Sequence, residues 1–467
     1  MRGKLQRLSA QADQRSFFDP RQEPPDLASG AGFFYGGPVF FFRMRKSRAP
    51  DRTGWNLAWI AAGVLLLVSF CIDFGATEQG GSIDLRNRIT GERLLLDHID
   101  PYFYKWQEPE PVEFCDPYNN PKLPVSKTTA TPTLLLLHAP LAVLPYRVGQ
   151  FLWLFLQWGF LLGTVWCWWR VCEQEWQRLV LAAFVTGFTY TAAWRLHAER
   201  GQSYVLLLFL FALWLTSTLR KESRLGTGFL AGLLLALRPP FLLLAPFFLI
   251  HRRRQWPGAA VGLLLGMVLP MLWRGDCWLK YESAMATHSS LYRNGIDPAP
   301  GPERFPAMIE GMSTDLLGNY AAIPYADFSA HGLLRLVGLE PFPAWPLLVV
   351  PVVGYGLWLW RRRAEPMERL LPGLAAWLFV IDFFLPAYRN NYNDVLILNV
   401  VALALMGVRH WRATSWGVGL CFLALPIGWG IYGFAPMHDW LIDLPTAFYL
   451  AGAGLLLFWE GRLGRKA

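Results

Sequence analysis

The sequence predicts an all-α, multi-pass membrane protein of about ten spans with short re-entrant or interfacial helices added. Three observations lead there. The 467 residues are 54% hydrophobic and 16% charged, with 23 Trp and 32 Phe, more apolar surface than a water-soluble fold of this size could hide. Uncharged apolar runs recur along the chain at lengths near the roughly 20 residues that cross a bilayer. The basic residues gather in short clusters between those runs, "RVCEQEWQR", "RKESR", "HRRR", "RRR", "RHWR" and "RLGRK", as the loops on the cytoplasmic side of a membrane protein do.

In chain order, residues 1–43 read as a disordered, proline-rich extension, because "FFYGGPVFFF" at 33–42 is too short to span and is broken by Gly-Gly-Pro. Residues 44–467 read as one membrane domain. Its spans are expected at 55–74, 150–169, 179–194, 203–218, 257–273, 345–360, 370–388, 394–408, 413–434 and 442–459. The short segment 132–145 carries three prolines and reads as re-entrant. The run 226–250 is interrupted by Arg238-Pro239-Pro240, which no straight helix can accommodate, so two short helices with a break are expected.

With Met44–Arg52 and the basic clusters inside, the loops 75–131 and 274–340, "RLHAERGQ" at 195–202 and "YRNNYND" at 388–394 collect on the extracytoplasmic side. The net charge of +9 is spread over short interfacial clusters, which argues against nucleic acid as a partner. The six cysteines are scattered and read as packing residues, with a Cys115–Cys277 pairing left open.

The candidate chemistry sits in those outer segments. Asp84 opens a helix-like stretch with Leu85, Ile89, Leu94, Leu95 and Leu96 on one face and Arg86, Arg88, Glu92 and Arg93 on the other, closing at Asp100-Pro101. Asp84 there is either a reactive carboxylate or a helix cap. Arg195, His197, Glu199, Arg200 and Gln202 form either a hydrogen-bonding lip for an anionic or sugar ligand or an interfacial turn. Arg238 would cost about 2.5–3.5 kcal/mol at the centre of a span, so it is either paired or lines a functional cavity; its planar fork suits phosphate. Tyr388, Arg389, Asn391 and Asn393 offer groups for sugar hydroxyls, with helix capping as the competing explanation, and Asp382 is a candidate arginine partner. Phosphate loops, paired metal-ligand spacings and a soluble nucleotide-sugar domain are absent from the sequence, so an activated donor would arrive through the lipid.

Taken in order, these segments resemble glycosyltransferase family 87, integral-membrane enzymes that include polyprenol-phosphate-mannose-dependent α-mannosyltransferases. "IDLRNRITGERLLLDHIDPY" is similar to an Asp-led first outer loop closing on Asp-Pro-Tyr. "TPTLLLLHAPLAVLP", "GQSYVLLLFLFALWL" and "GFLAGLLLALRPPFLLL" resemble the apolar segment, Gly-Gln span and Gly-rich helix that follow. Two departures stand out: "PAYRNNYND" replaces a loop that often carries histidine, and "TTATPT" replaces Tyr-Pro-Pro.

The resemblance implies a GT-C membrane fold in the bacterial plasma membrane with an extracytoplasmic site. It implies hexose transfer, mannose foremost, from a polyprenyl-phosphate donor to a lipid or glycan acceptor with inversion, and no metal or other cofactor. Asp84 would be the general base, Arg238, Arg195 and Arg200 the donor-phosphate ligands, and His197, Gln202, Tyr388, Arg389, Asn391 and Asn393 the sugar or acceptor contacts. A lipid-linked glycan polymerase or ligase and a lipid-glycan transporter or flippase are the competing functions.

Overall fold

The computed structural model describes residues 52–104, 106–115, 117, 128–220, 224–251, 253–294, 329–336, 339, 344–385, 389–406, 411–434 and 444–463. The expected extension at 1–43 and Tyr388 lie outside them. No strand occurs among the described residues.

The first long helix, α1 (Arg52–Gly80), runs past the expected span and turns through Gly81 and Ser82 into α2 (Ile83–Leu96). After a loop come α3 (Pro132–Ala142), α4 (Tyr146–Trp169), α5 (Glu175–Phe188), α6 (Ala192–Glu199) and α7 (Tyr204–Leu219). The expected single span 179–194 is instead the pair α5 and α6, bent by 65°. Threonines make the bend: the hydroxyls of Thr189 and Thr191 donate to the carbonyls of Thr186 and Phe188 at 2.8 and 2.7 Å, and Thr191 caps α6. Residues 195–199 of the stretch expected as an outer lip are therefore helical.

The helix α8 (Arg224–Leu237) stops at Arg238, a single turn of 3-10 helix follows over Pro239–Leu243, and α9 (Leu244–His251) resumes. The expected break is there, because a residue before proline is pushed out of the helical region; Arg238 has φ −149° and ψ 110°. The chain continues through α10 (Trp256–Trp273), α11 (Cys277–Asn294), α12 (Ala330–Leu336), α13 (Ala344–Arg361) and α14 (Met367–Phe384). It ends with a 3-10 turn over Asn391–Leu396, then α15 (Ile397–Met406), α16 (Trp411–Phe434) and α17 (Leu444–Leu463).

Among the described residues, three helices are long and apolar enough to cross a membrane, four if the bent α5–α6 pair is one span, with eight shorter apolar helices beside them. The chain is thus a helical membrane protein. Cys115 and Cys277 are free thiols rather than a disulfide.

Two contacts organise the packing. The face of α8 meets α10 backbone to backbone: a Cβ on Gly228, Gly232, Gly258 or Gly262 would lie 2.2, 2.0, 2.2 or 2.3 Å from a carbonyl oxygen of the opposing helix. Small residues four apart allow this approach where no water is available to drive association. The helix α15 is buried along residues 397–405, and its Asn399 side chain accepts from Trp168 Nε1 of α4 at 2.8 Å and donates to the Leu208 carbonyl of α7 at 3.1 Å. The outward sides of α1 and α10 carry exposed Leu57, Ile60, Val64, Leu67, Leu264 and Leu272, surface suited to lipid tails.

Gly232→Leu is predicted to destabilise the protein by about 3 kcal/mol and to reduce the folded, monodisperse fraction in detergent. Gly63→Leu, at a site with nothing within 4 Å of an added Cβ, is predicted to behave as wild type. Equal melting of both variants would contradict the close α8–α10 approach.

Candidate functional site

The site begins where the turn between α6 and α7 meets the start of α2. Gly201 has φ +69°, and a Cβ there would come within 2.7 Å of Leu85 Cβ, so both the backbone shape and the space require glycine. The backbone N–H groups of Asp84 and Leu85 donate to the Arg200 carbonyl at 3.0 and 3.2 Å. Donors left open at a helix start are thereby satisfied by backbone. This overturns the cap reading of Asp84: the cap position is Ser82, with φ 54° and no side-chain cap, and Asp84 lies in the first turn.

The Asp84 carboxyl is instead held by side chains. Its Oδ2 accepts from Arg200 Nε at 2.7 Å and from Gln202 Nε2 at 2.5 Å. One turn along α2, Arg88 donates to the Gly201 carbonyl at 2.7 Å and to Gln202 Oε1 at 2.6 Å. Arg88 thus fixes which end of the Gln202 amide faces Asp84. Trp153 Nε1 donates to the same Gly201 carbonyl at 3.0 Å. Arg88 was not among the expected site residues, although its spacing of four from Asp84 placed it on the same helical face.

Arg238 centres a second cluster. One Nη donates to Asp382 Oδ1 at 2.5 Å, and the guanidinium lies over the Tyr204 ring at 4.3 Å, close enough for cation–π attraction. The other Nη is buried with no hydrogen-bond partner among the described residues. Asp382 Oδ2 accepts from Arg389 Nε at 3.1 Å and Asn393 Nδ2 at 3.5 Å. Arg389 donates in turn to Asp394 Oδ1 at 2.6 Å, and Thr446 Oγ1 to Asp394 Oδ2 at 2.5 Å. The charges alternate in sign along the series Arg238, Asp382, Arg389, Asp394, and all four are largely withdrawn from solvent. Alternation is what makes such burial tolerable. The carbonyl oxygens of the Asn391 and Asn393 side chains are buried without partners among the described residues.

Tyrosines join the two clusters. Tyr204, immediately after the Gly201-Gln202-Ser203 turn, lies 5.5 Å from Tyr392, ring to ring. Both phenols are within electrostatic reach of Arg88, and Tyr281 of α11 is within reach of Arg238 and Tyr204. Burial pushes the Tyr281 phenol up to about 12, so it remains a hydrogen-bond donor. Tyr281 is itself held by Tyr102, 5.7 Å away edge-on, whose hydroxyl donates to the Ala130 carbonyl at 2.9 Å. Asp100 Oδ1 accepts from the backbone of Tyr102 at 2.9 Å, so Asp100-Pro101-Tyr102 closes the first loop against α11. The helix itself ends earlier than expected, at Leu96, with His98 at φ 60°.

Two expected site residues are elsewhere. Arg195 pairs with Asp73 of α1 and donates to the Ser69 carbonyl at 2.9 Å; Trp158 and Trp194 complete the Asp73 carboxylate at 3.1 and 2.8 Å. This is a buried tie between α1 and α6, not part of the Asp84 group. His197 is fully buried, accepts from the Val205 backbone at 3.1 Å and stacks on Trp194 at 5.5 Å. It orders the turn from within, and the lip reading fails for it because the helix α6 carries it inward.

Glu92, expected on the solvent face of α2, is completely buried, and neither carboxylate oxygen has a partner among the described residues. Burial pushes its pKa from 4.5 to about 8. The folded protein therefore keeps a proton that the unfolded chain releases, so the stability from this group is full below about pH 4.5 and is lost as pH rises to about 8. Tyr102 is within its electrostatic reach; Arg88 and Arg93 lie on the same helix, and α2 packs against the segments that carry Glu113 and His138. Glu92→Gln is predicted to flatten the fall of the denaturation midpoint across that window and to gain on wild type toward pH 8. An unchanged pH slope would contradict the assignment.

No curated protein and no solved structure shows significant similarity to the chain. The family model for glycosyltransferase family 87 matches residues 129–385, more than half of the 467 residues. The matched segment contains the Gly201-Gln202 turn, Arg238 and Asp382; Asp84 precedes it. The chain belongs to glycosyltransferase family 87.

Proposed function

We propose that this glycosyltransferase moves a hexose, mannose foremost, from a polyprenyl-phosphate donor to an acceptor hydroxyl on a lipid or glycan. The transfer occurs at the extracytoplasmic face of the plasma membrane, within a GT-C-type arrangement of spans. The observation that carries this reading is the half-used guanidinium of Arg238: one Nη is committed to Asp382 and the other is buried without a partner. An arginine held this way presents a fixed donor to an anion entering from the lipid side.

The acceptor oxygen forms a bond to the anomeric carbon as the bond from that carbon to the phosphate oxygen breaks. Attack from the face opposite the phosphate inverts the configuration. The acceptor proton passes to Asp84, whose Oδ2 is occupied by Arg200 and Gln202 and whose Oδ1 is left for the hydroxyl. The departing phosphate takes the bonding electron pair, and Arg238, permanently charged, compensates it in a partly dry setting where preorganised charge counts most. Arg200 orients the base, and the open amide oxygens of Asn391 and Asn393 are suited to hydroxyl groups of the sugars, with Arg389 held behind them.

Purified protein supplied with a panel of polyprenyl-phosphate hexoses is expected to consume one of them in the presence of acceptor. Asp84→Asn is expected to lower kcat by about 10²–10⁴-fold with donor affinity unchanged. Arg238→Ala is expected to weaken donor binding by roughly 10–100-fold while the fold persists, since Asp382 keeps Arg389 as its partner. Full turnover by the Asp84 variant, or lipid-linked sugar crossing vesicles with no glycosylated product, would contradict the reading.

A further inference from the structure

We propose that Arg88 and Gln202 are positioning residues for the transfer: Arg88 fixes the Gln202 amide, and Gln202 pins the Asp84 carboxylate so that Oδ1 meets the acceptor hydroxyl. This rests on the reading of Asp84 as the base and goes beyond it, to the side chains that set which oxygen takes the proton.

Asp84 and Arg88 stand four residues apart on α2, a spacing at which an acid and an arginine can pair directly along a helix. Among the described residues, however, the ion pair of Asp84 is with Arg200. Arg88 sends its two Nη atoms instead to the Gly201 carbonyl at 2.7 Å and to Gln202 Oε1 at 2.6 Å. Its charge is spent on the turn that carries Gln202.

Gln202 is buried between a guanidinium, which only donates, and a carboxylate, which only accepts. One amide orientation satisfies both, with the oxygen toward Arg88 and the nitrogen toward Asp84. Those are the bonds present, at 2.6 Å to Arg88 and 2.5 Å to Asp84 Oδ2. Turning the amide over would break two charge-assisted hydrogen bonds at once. Both ends of the amide are thus engaged by protein, and the sugar contact expected of Gln202 gives way to this role.

On Asp84 the two donors converge on one oxygen, Arg200 Nε at 2.7 Å and Gln202 Nε2 at 2.5 Å from Oδ2. Two donors fix the plane of the carboxylate, which gives Oδ1 one direction in which to receive a proton. The backbone nearby has supports besides Arg88. Trp153 Nε1 donates to the Gly201 carbonyl at 3.0 Å, and the Arg200 carbonyl holds the N–H groups of Asp84 and Leu85. Loss of the Arg88 side chain therefore frees the Gln202 amide while the turn stays on α2.

Full-length wild type, Arg88→Met, Gln202→Leu and Asp84→Asn are compared with the double variants that join Asp84→Asn to each of the other two. The readouts are turnover of the polyprenyl-phosphate hexose that the panel identifies and binding of bare polyprenyl phosphate. R88M and Q202L are each expected to lower kcat by about 10–100-fold, the cost of a reacting group displaced by roughly 1 Å. Donor KM and affinity for the bare lipid are expected to stay at wild-type values. In the Asp84→Asn background the same substitutions are expected to cost nothing further, because residues that act through one carboxylate lose their effect once it is gone. Additive losses in the double variants, weakened lipid binding that accounts for the lost turnover, or wild-type kcat in either single variant overturns the proposal and leaves Asp84 as the base. If R88M does not fold, Q202L decides by the same readouts. Full turnover by Asp84→Asn overturns the base reading, and this inference with it.

Discussion

A permanent positive charge inside an apolar helix pair is the constraint on which the site depends. Arg238 follows the last residue of α8, where two prolines forbid continuation. A guanidinium there must find negative charge, and Asp382 at the end of α14 provides it. Asp382 in turn brings Arg389, and Arg389 brings Asp394 and Thr446. One unavoidable charge thus draws the ends of α8, α14 and α17 and the turn before α15 to the same place. Removing the middle of such a series costs far more than removing its end, because an inner member leaves two charges uncompensated.

The second half of the site is built from backbone. Gly201 lets the α6–α7 turn press onto α2 until the Arg200 carbonyl caps the helix start, and the capped helix then aims Asp84 and Arg88 at Gln202. Tyr204 is the next turn of chain, and it is the ring on which Arg238 rests. A carboxylate and a half-committed arginine are therefore linked by a few residues of sequence, Gly201 to Tyr204, and by the tyrosines around them. That geometry gives the proposed transfer a common region for base and leaving group.

Much of this was legible in the sequence, and the reasons differ by element. The break at Arg238 followed from proline chemistry, the Asp382 pairing from charge inside an apolar run, and the family from ordered motifs. Hydropathy overstated the straight spans: α5 and α6 form one apolar run, yet threonine hydroxyls bend it by 65°. Arg195 and His197 lie beside Arg200 and Gln202 in sequence, but a helix turns them toward Asp73 and toward the interior. Proximity along the chain is not proximity in the site. Glu92 was assigned to the polar face by its type, whereas packing of α2 on every side of its second half decided otherwise. Long-range partners such as Asp73 with Arg195 have no local signal at all.

The most direct test of the account is an experimental density map of the full chain in lipid with polyprenyl phosphate bound. The account predicts phosphate density within hydrogen-bond distance of the Arg238 Nη that Asp382 leaves open, with the Arg238–Asp382 contact retained and the Asp84 carboxyl facing the same cavity. Phosphate density lodged elsewhere, with Arg238 closed off by protein on all sides, would contradict it.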